Sequence, residues 1–128
     1  MLGAIIGDIV GSRFEFRNHR SKDFELFTPA CDTDDSICTI AVADALLNEG
    51  DFTEYIHRWC RRYPNPMGSY GGRFAQWVAS DHPRPYGSFG NGSAMRVSPC
   101  GYLSSLGDVL RQAEASAVCS HDHPEGVR

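Results

Sequence analysis

The stretch CDTDDSICTIAVADALL, residues 31–47, sets three aspartates directly before an apolar run with helical spacing. Carboxylates repel one another at close range, so three of them within four positions need a compensating partner or full exposure to solvent. The apolar run ends before Gly50, and glycine commonly follows the last turn of a helix. The pattern predicts a buried helix over residues 36–47 that begins beside a concentrated negative charge.

Helical spacing recurs along the chain, and no segment shows the alternation of apolar and polar residues that marks a half-buried strand. Residues 13–30 lack clear periodicity and are expected to form a long loop. A chain of 128 residues is one domain by length, so we expect a single domain over residues 1–128. The sequence therefore predicts an all-α fold with functional loops, whose other helices lie at residues 2–10, 53–63 (capped by Thr53), 74–79 and 106–119 (capped around Asp108).

The N-terminal segment carries a stripe of glycines. Gly3, Gly7 and Gly11 lie four positions apart, which on a helix leaves one bare face where a neighbouring backbone can approach closely. Each glycine destabilises a helix by about 1 kcal/mol relative to alanine, so such a helix needs tight packing. We expect a buried helix here. The alternative is a glycine-interrupted strand entering a phosphate loop, although the sequence has neither G-x-G-x-x-G nor G-K-[ST] at this point.

Composition and charge argue against several classes of protein. The formal net charge is −4, and the basic residues fall in short clusters with acids nearby, which disfavours nucleic-acid binding. The five cysteines form no C-x-x-C pair, which disfavours a disulfide framework or a zinc ribbon and fits a reducing compartment. The apolar N-terminus is interrupted by Asp8 and lacks a basic leader region. We expect a cytoplasmic protein that contacts neither nucleic acid nor membrane.

Four interpretations of the acidic cluster can be compared. Helix capping explains one or two carboxylates at a helix start but not three. A calcium loop starting at Asp32 fails, because isoleucine and alanine occupy the positions that need glycine and glutamate. A D-x-D phosphatase motif closes a buried apolar strand, whereas the residues before this cluster include a proline. The remaining interpretation is a hard cation, Mg²⁺ or Mn²⁺, with oxygen ligands from Thr33, Asp34 and Asp35.

Two later stretches also suggest binding chemistry. SFGNGSAMRVSP, residues 88–99, sets small residues around Asn91, ahead of a short helix that we expect to begin near Ser93. Such a loop can expose backbone N–H groups to a phosphate or diphosphate, or it can be an ordinary Gly-Asn turn. In CSHDHPEG, His121 and His123 have H-x-H spacing, but no third nitrogen or sulfur ligand is evident, so we predict no zinc site.

Taken in order, these motifs resemble those of the ADP-ribosylglycohydrolase family. The matching stretches are GDIVGSRFEF, TDDS, GNGSAMRVSP and SHDHPEG, and they are spread over the whole chain. The resemblance implies an orthogonal bundle of helices around a site for two Mg²⁺ ions, with Mn²⁺ as a substitute. It also implies hydrolysis of the bond between ADP-ribose and an arginine or serine side chain. The expected partner is therefore an ADP-ribosylated protein or ADP-ribose itself.

The resemblance also implies roles for individual residues. Glu15 matches an acid on a mobile loop near the scissile bond, and the general acid or base would be Glu15 or a metal-bound carboxylate, Asp34 or Asp35. Thr33 and these two aspartates match the family's first metal-binding motif. The family's diphosphate- and ribose-binding loop is matched by Gly90, Asn91, Gly92 and Ser93. Its substrate-contacting histidine is matched by His121.

One departure from the family bears on activity. Its second metal motif, an Asp-x-Asp-Thr-like sequence, is absent from these residues, so the chain resembles an apparently truncated, N-terminal half of the fold. We expect weak metal binding, little hydrolysis by this chain alone, and an exposed apolar face where a second half would pack. A dimer or a complementing C-terminal segment would supply the missing ligands. The alternatives are a non-catalytic ADP-ribose-binding relic and a structural module of the same fold.

Overall fold

The computed structural model describes residues 1–26 and 33–127. Within those ranges the chain forms six α-helices, one short 3-10 helix and no strand, which confirms the all-α prediction. None of the helices in this part of the chain is long and apolar enough to cross a membrane. In chain order they are α1 (Leu2–Ser12), α2 (Asp34–Leu47), α3 (Phe52–Arg62), α4 (Gly72–Ala79), the 3-10 helix (Ser98–Tyr102), α5 (Leu106–Val118) and α6 (Pro124–Val127).

Helix α2 lies at the centre of the molecule. Its side chains Ile37, Val42 and Ala45 are buried, in agreement with the apolar spacing, and they belong to one core with Ile56 and Cys60 of α3. Each fully buried aliphatic side chain of this size contributes roughly 1.5–3 kcal/mol to folding, so the α2–α3 pair is a main source of stability. The core is completed by Ala41, Cys38, Phe52, Tyr70, Phe74, Trp77, Val78, Cys100 and Cys119.

Side-chain caps fix where the two central helices begin. Helix α2 begins at Asp34 rather than near Ser36, because Thr33 is its cap and the Thr33 Oγ1 accepts a hydrogen bond from the Ser36 amide (3.3 Å). Helix α3 is capped by Asp51 and not by Thr53, which lies inside its first turn. In both cases the cap residue has an extended backbone, the conformation that lets a short side chain reach an amide of the first turn.

Two predictions in the C-terminal third need correction. Helix α5 is capped by Ser105, whose hydroxyl accepts a hydrogen bond from the Asp108 amide (3.1 Å), so Asp108 lies within the first turn. The short helix predicted to begin near Ser93 is also wrong, since residues 91–96 form turns and a 3-10 helix follows. Pro99 lies at the start of that 3-10 helix, where its missing N–H is tolerated.

Helix α1 is helical, as the glycine spacing predicts, but it is not buried. Leu2 is 70% exposed, Ile6 is 49% exposed, and Ser12 is the one buried residue of this helix. Among the residues that the structure describes, nothing lies within 4 Å of a Cβ built on any of its three glycines, so the predicted close backbone approach is wrong too. The physical reason is that α1 packs mainly against α2, which leaves an exposed apolar surface continued by Leu47 and Tyr102.

The predicted long loop is described only in part. Residues 13–26 contain no helix beyond the end of α1, in agreement with the prediction. An edge-to-face contact between the rings of Phe14 and Phe24 (5.4 Å between centroids) joins its two ends. Residues 27–32, which include Asp32 of the acidic cluster, lie outside the described part of the chain.

Replacing Ile56 with alanine should destabilise the protein by about 3 kcal/mol, because Ile56 is 0% exposed in the core that α2 and α3 share. Leu110→Ala is the control, since Leu110 is 62% exposed on α5, and it should change the unfolding free energy by less than about 0.5 kcal/mol. Urea unfolding followed by circular dichroism measures both. A loss below about 1 kcal/mol for Ile56→Ala would contradict this packing.

Candidate functional site

A cavity of about 530 Å³ opens beside the N-terminal end of α2. Its volume lies in the range typical of small-molecule binding sites. Its walls come from the segment after α1, the first turn of α2, the start of α4 with the residues just before it, the loop before the 3-10 helix and the segment after α5. The structure thus brings together most of the residues that the sequence singles out, since its lining includes Glu15, Asp34, Asp35, Gly90, Asn91, Gly92 and His121.

Three carboxylates lie together on one side of this cavity. Asp34 and Asp35 occupy the first turn of α2, and Glu15 follows α1 closely. The same three side chains also line a neighbouring cavity of about 350 Å³, together with Asp8 and Thr33. The carboxylates therefore lie where the two cavities meet.

Asp8 is a residue of this site that the sequence analysis did not single out. Its Oδ2 accepts hydrogen bonds from the Thr33 hydroxyl and from the Ser36 hydroxyl (2.6 Å to Ser36). These bonds tie α1 to the first turn of α2 and so position the carboxylates that follow Thr33. Helical spacing could have indicated Asp8, because Asp8 and Ser12 lie at i and i+4 on one face of α1. Both residues line the smaller cavity together with Glu15.

The carboxylates oppose one another's ionisation. Burial, followed by the negative charge of Asp35, raises the pKa of Asp34 to about 6, against the opposite effect of backbone N–H groups at the helix start. Burial, followed by the charges of Asp8 and Glu15, also raises the pKa of Asp35. Carboxyl groups with raised pKa values favour the binding of a proton or a cation. This side of the cavity therefore attracts positive charge.

Oxygen donors of this kind suit Mg²⁺ or Mn²⁺. In the part of the chain that the structure describes, however, no group of three or more His, Cys, Asp or Glu side chains is placed to hold a metal ion. The Thr33 hydroxyl is engaged within the protein, because it donates to Asp8 and accepts from the Ser36 amide. The ligand roles of Thr33, Asp34 and Asp35 therefore stay predictions.

The GNGS loop supplies another wall of the cavity. Residues 90–92 line it, and a Cβ built on Gly92 would lie 2.8 Å from Nε2 of His121, so only glycine allows this close approach. Ser93 is not part of the lining. Its buried hydroxyl donates to the Gly126 carbonyl (2.8 Å) and holds α6 against the loop, so its substrate contact stays a prediction.

Two arginines that the sequence analysis did not single out add positive charge to the cavity. Arg73, in the first turn of α4, donates to the Tyr86 carbonyl, and its guanidinium lies over the Tyr86 ring, 4.9 Å from the ring centre. Arg96 is fully buried and donates to the Ser120 hydroxyl (2.9 Å). The apolar neighbours of Arg96 in the stretch AMRV were a signal of burial, whereas no pattern in the sequence marks Arg73.

His121 lies between the aromatic rings and the arginines. Its ring centroid is 5.5 Å from that of Tyr86 and 6.4 Å from that of Phe74. Burial, followed by the positive charges of Arg96 and Arg73, lowers the pKa of His121 to about 4. The imidazole is therefore neutral at neutral pH, and it can act as a hydrogen-bonding group without adding charge.

Comparison with known protein families covers the whole chain. Residues 1–128 match the family model of ADP-ribosylglycohydrolase. The chain belongs to the ADP-ribosylglycohydrolase family, and its helical architecture is consistent with the all-α fold of that family. No curated protein matches the sequence at a significant level. Membership of the family indicates a hydrolase activity of the ADP-ribosylglycohydrolase type.

Removing the charge of Asp34 should stabilise the metal-free protein at high pH. Its pKa of about 6 in the folded state lies above the ordinary value of 3.8, so the folded state loses stability as pH rises through about 6. In a chelating buffer, Asp34→Asn should raise the unfolding free energy by about 1 kcal/mol at pH 8, after allowance for solvent screening, and by little at pH 4. Urea unfolding at the two pH values measures this gain.

Asp81→Asn is the control for that experiment. The Asp81 carboxylate is 85% exposed and pairs with Arg61 at the surface, so its neutralisation should change stability by less than about 0.5 kcal/mol at pH 8. A loss of stability in Asp34→Asn at pH 8 would contradict the mutual repulsion of the carboxylates.

Proposed function

We propose that this protein binds ADP-ribose in the larger cavity and hydrolyses the bond that joins ADP-ribose to an arginine or serine side chain. The observation that supports the proposal is the separation of charge in one cavity, with three carboxylates on the side shared with the smaller cavity and Arg73 and Arg96 elsewhere in the lining. ADP-ribose has matching parts, since its diphosphate is anionic and its ribose carries hydroxyl groups. Arginines and backbone N–H groups suit the diphosphate, and carboxylates suit hydroxyls and a cation.

The residues would divide the chemistry between them. Asp34 and Asp35 would hold Mg²⁺ or Mn²⁺, which when bound supplies electrostatic stabilisation at the ribose hydroxyls. Glu15, beside these aspartates, would act as general acid or base at the scissile bond. The backbone of residues 90–92 would position the diphosphate, so that the glycosidic carbon lies next to the carboxylates as positive charge develops on the ribose.

We further propose that a second set of oxygen ligands completes the metal site. The described ranges contain no group of three or more His, Cys, Asp or Glu side chains placed to hold a metal ion. Mg²⁺ gives up its bound waters reluctantly and demands a near-ideal octahedral shell. A complementing segment or a second copy of the chain would provide the rest, and the 128-residue chain alone should turn over slowly.

A non-catalytic ADP-ribose-binding module is the second candidate function. The observation that favours it is the contrast between the two parts of the cavity. Residues 90–92, Arg96 and His121 line the cavity with polar groups, whereas the described residues contain no group of three metal-ligating side chains. A module of this kind would bind ADP-ribose and release none from a modified peptide.

Release of ADP-ribose from an ADP-ribosyl-arginine peptide and from an ADP-ribosyl-serine peptide tests the activity. With Mg²⁺ or Mn²⁺ the 128-residue chain should release little, and addition of a C-terminal half from a family member should raise the rate at least about 100-fold. Asp34→Asn should abolish the gain. Full turnover by the chain alone would contradict the incomplete metal site, and binding without release in the complemented sample would establish the second candidate.

Gly92→Ala should weaken ADP-ribose binding at least about tenfold, because the added Cβ would lie 2.8 Å from Nε2 of His121 and would push the ring out of place. Gly101→Ala is the control, since no atom lies within 4 Å of its added Cβ and Gly101 does not line the cavity. Isothermal titration calorimetry measures both dissociation constants. Unchanged affinity in Gly92→Ala would place the ligand elsewhere.

A further inference from the structure

Arg96 is the most deeply buried charged side chain in the described part of the chain, at 0% exposure. Its Nη2 atom donates to the Ser116 carbonyl (2.7 Å), the Ser120 hydroxyl (2.9 Å) and the Cys119 sulfur (3.4 Å). Its Nε and Nη1 atoms are buried without a hydrogen-bond partner, and no carboxylate among the described residues forms an ion pair with it. A buried charge held in this way is costly, so a role beyond packing is expected.

The hydrogen bond from Arg96 determines where the hydroxyl proton of Ser120 points. A guanidinium can only donate, so the Ser120 hydroxyl oxygen accepts from Arg96. The same oxygen lies 2.8 Å from Nδ1 of His121. If Nδ1 carried a proton, the Ser120 proton would have to turn to the Cys119 sulfur, 3.9 Å away, which is a poor acceptor. Ser120 is fully buried, so its proton has to be satisfied inside the protein, and Nδ1 is the acceptor that remains.

With Nδ1 accepting, the single proton of a neutral imidazole resides on Nε2. That atom is the one nearest to a Cβ built on Gly92, and both Gly92 and His121 line the larger cavity. The described residues offer Nε2 no hydrogen-bond partner, in contrast to Nδ1. The low pKa of His121, about 4, agrees with a neutral ring at this position.

We propose that Arg96 and Ser120 are positioning residues that fix His121 in its Nε2–H tautomer, so that the cavity presents a neutral hydrogen-bond donor to an oxygen atom of the ligand. The tautomer follows from the hydrogen bonds alone. The identity of the oxygen rests on the proposed function, in which it belongs to a phosphate or hydroxyl group of ADP-ribose. A ligand that offers an N–H at this point would be rejected, because two donors would then face each other.

The test is nuclear magnetic resonance of the protein labelled with ¹⁵N-histidine at pH 7.5. Long-range ¹H–¹⁵N correlations distinguish the protonated from the unprotonated ring nitrogen, and His121→Gln identifies the signals of His121 among the five histidines. We expect wild-type His121 to be wholly in the Nε2–H form. An Nδ1–H form, an imidazolium or a mixture at His121 in the wild type would overturn the proposal.

Ser120→Ala tests the positioning role. Without the hydroxyl proton to accept, the ring should populate both tautomers, and a measurable Nδ1–H fraction should appear. Ser116→Ala is the matched control, because this buried serine lies on the same segment and donates to the Ala113 carbonyl (2.8 Å), away from His121. It should keep the wild-type spectrum. A pure Nε2–H state in Ser120→Ala would overturn the role of Ser120.

Titration of ADP-ribose into the wild-type sample separates this inference from the proposed function. A shift of the Nε2-bound proton of His121 on binding supports the contact with a ligand oxygen. An unchanged signal at saturating ADP-ribose would overturn that contact. If calorimetry instead shows no binding, so that saturation is never reached, the proposed function fails, while the positioning by Arg96 and Ser120 is judged by the tautomer spectra.

Discussion

Helix α2 is buried along most of its length although its first turn carries two carboxylates, and the site depends on that constraint. The buried part of the helix fixes its axis, so the backbone of Asp34 and Asp35 is held beside the cavity. Asp8 and Thr33 secure the same turn from the side of α1 through their hydrogen bond. Negative charge is thereby held where solvation is poor, which is the electrostatic condition for binding a cation or a polar ligand.

Positive charge is held in the same way on another part of the cavity. Arg96 is buried among α5 and its following residues, and among the described residues neither Arg96 nor Asp34 forms an ion pair. Neither charge is therefore neutralised by an ion pair among the described residues, whereas the ion pairs of this part of the chain lie at the surface, where such pairs contribute little. Those pairs are Arg58–Asp44, Arg61–Asp81 and Arg111–Asp108.

The features that could be predicted from the sequence are those set by the spacing of residues within one helix or loop. The helices α2 and α3 follow from apolar periodicity, but the cap of α3 was assigned to Thr53 rather than Asp51, because both residue types cap helices and spacing does not separate them. A glycine stripe indicates that α1 can be packed closely but not that a partner is present. Asp8 and Arg96 were missed because their contacts join residues 25 and 24 positions apart, which no local pattern reports. Most of the site residues that the family motifs predicted, in contrast, do line the cavity.

The most direct test of the charge-separated cavity is a crystal structure of the protein with ADP-ribose and Mn²⁺. We predict that the diphosphate lies against residues 90–92, within hydrogen-bond distance of Nε2 of His121, and that the ribose bearing the scissile position lies against Asp34 and Asp35. The reversed orientation, with the diphosphate beside the carboxylates, or a ligand bound outside the cavity, would contradict this prediction.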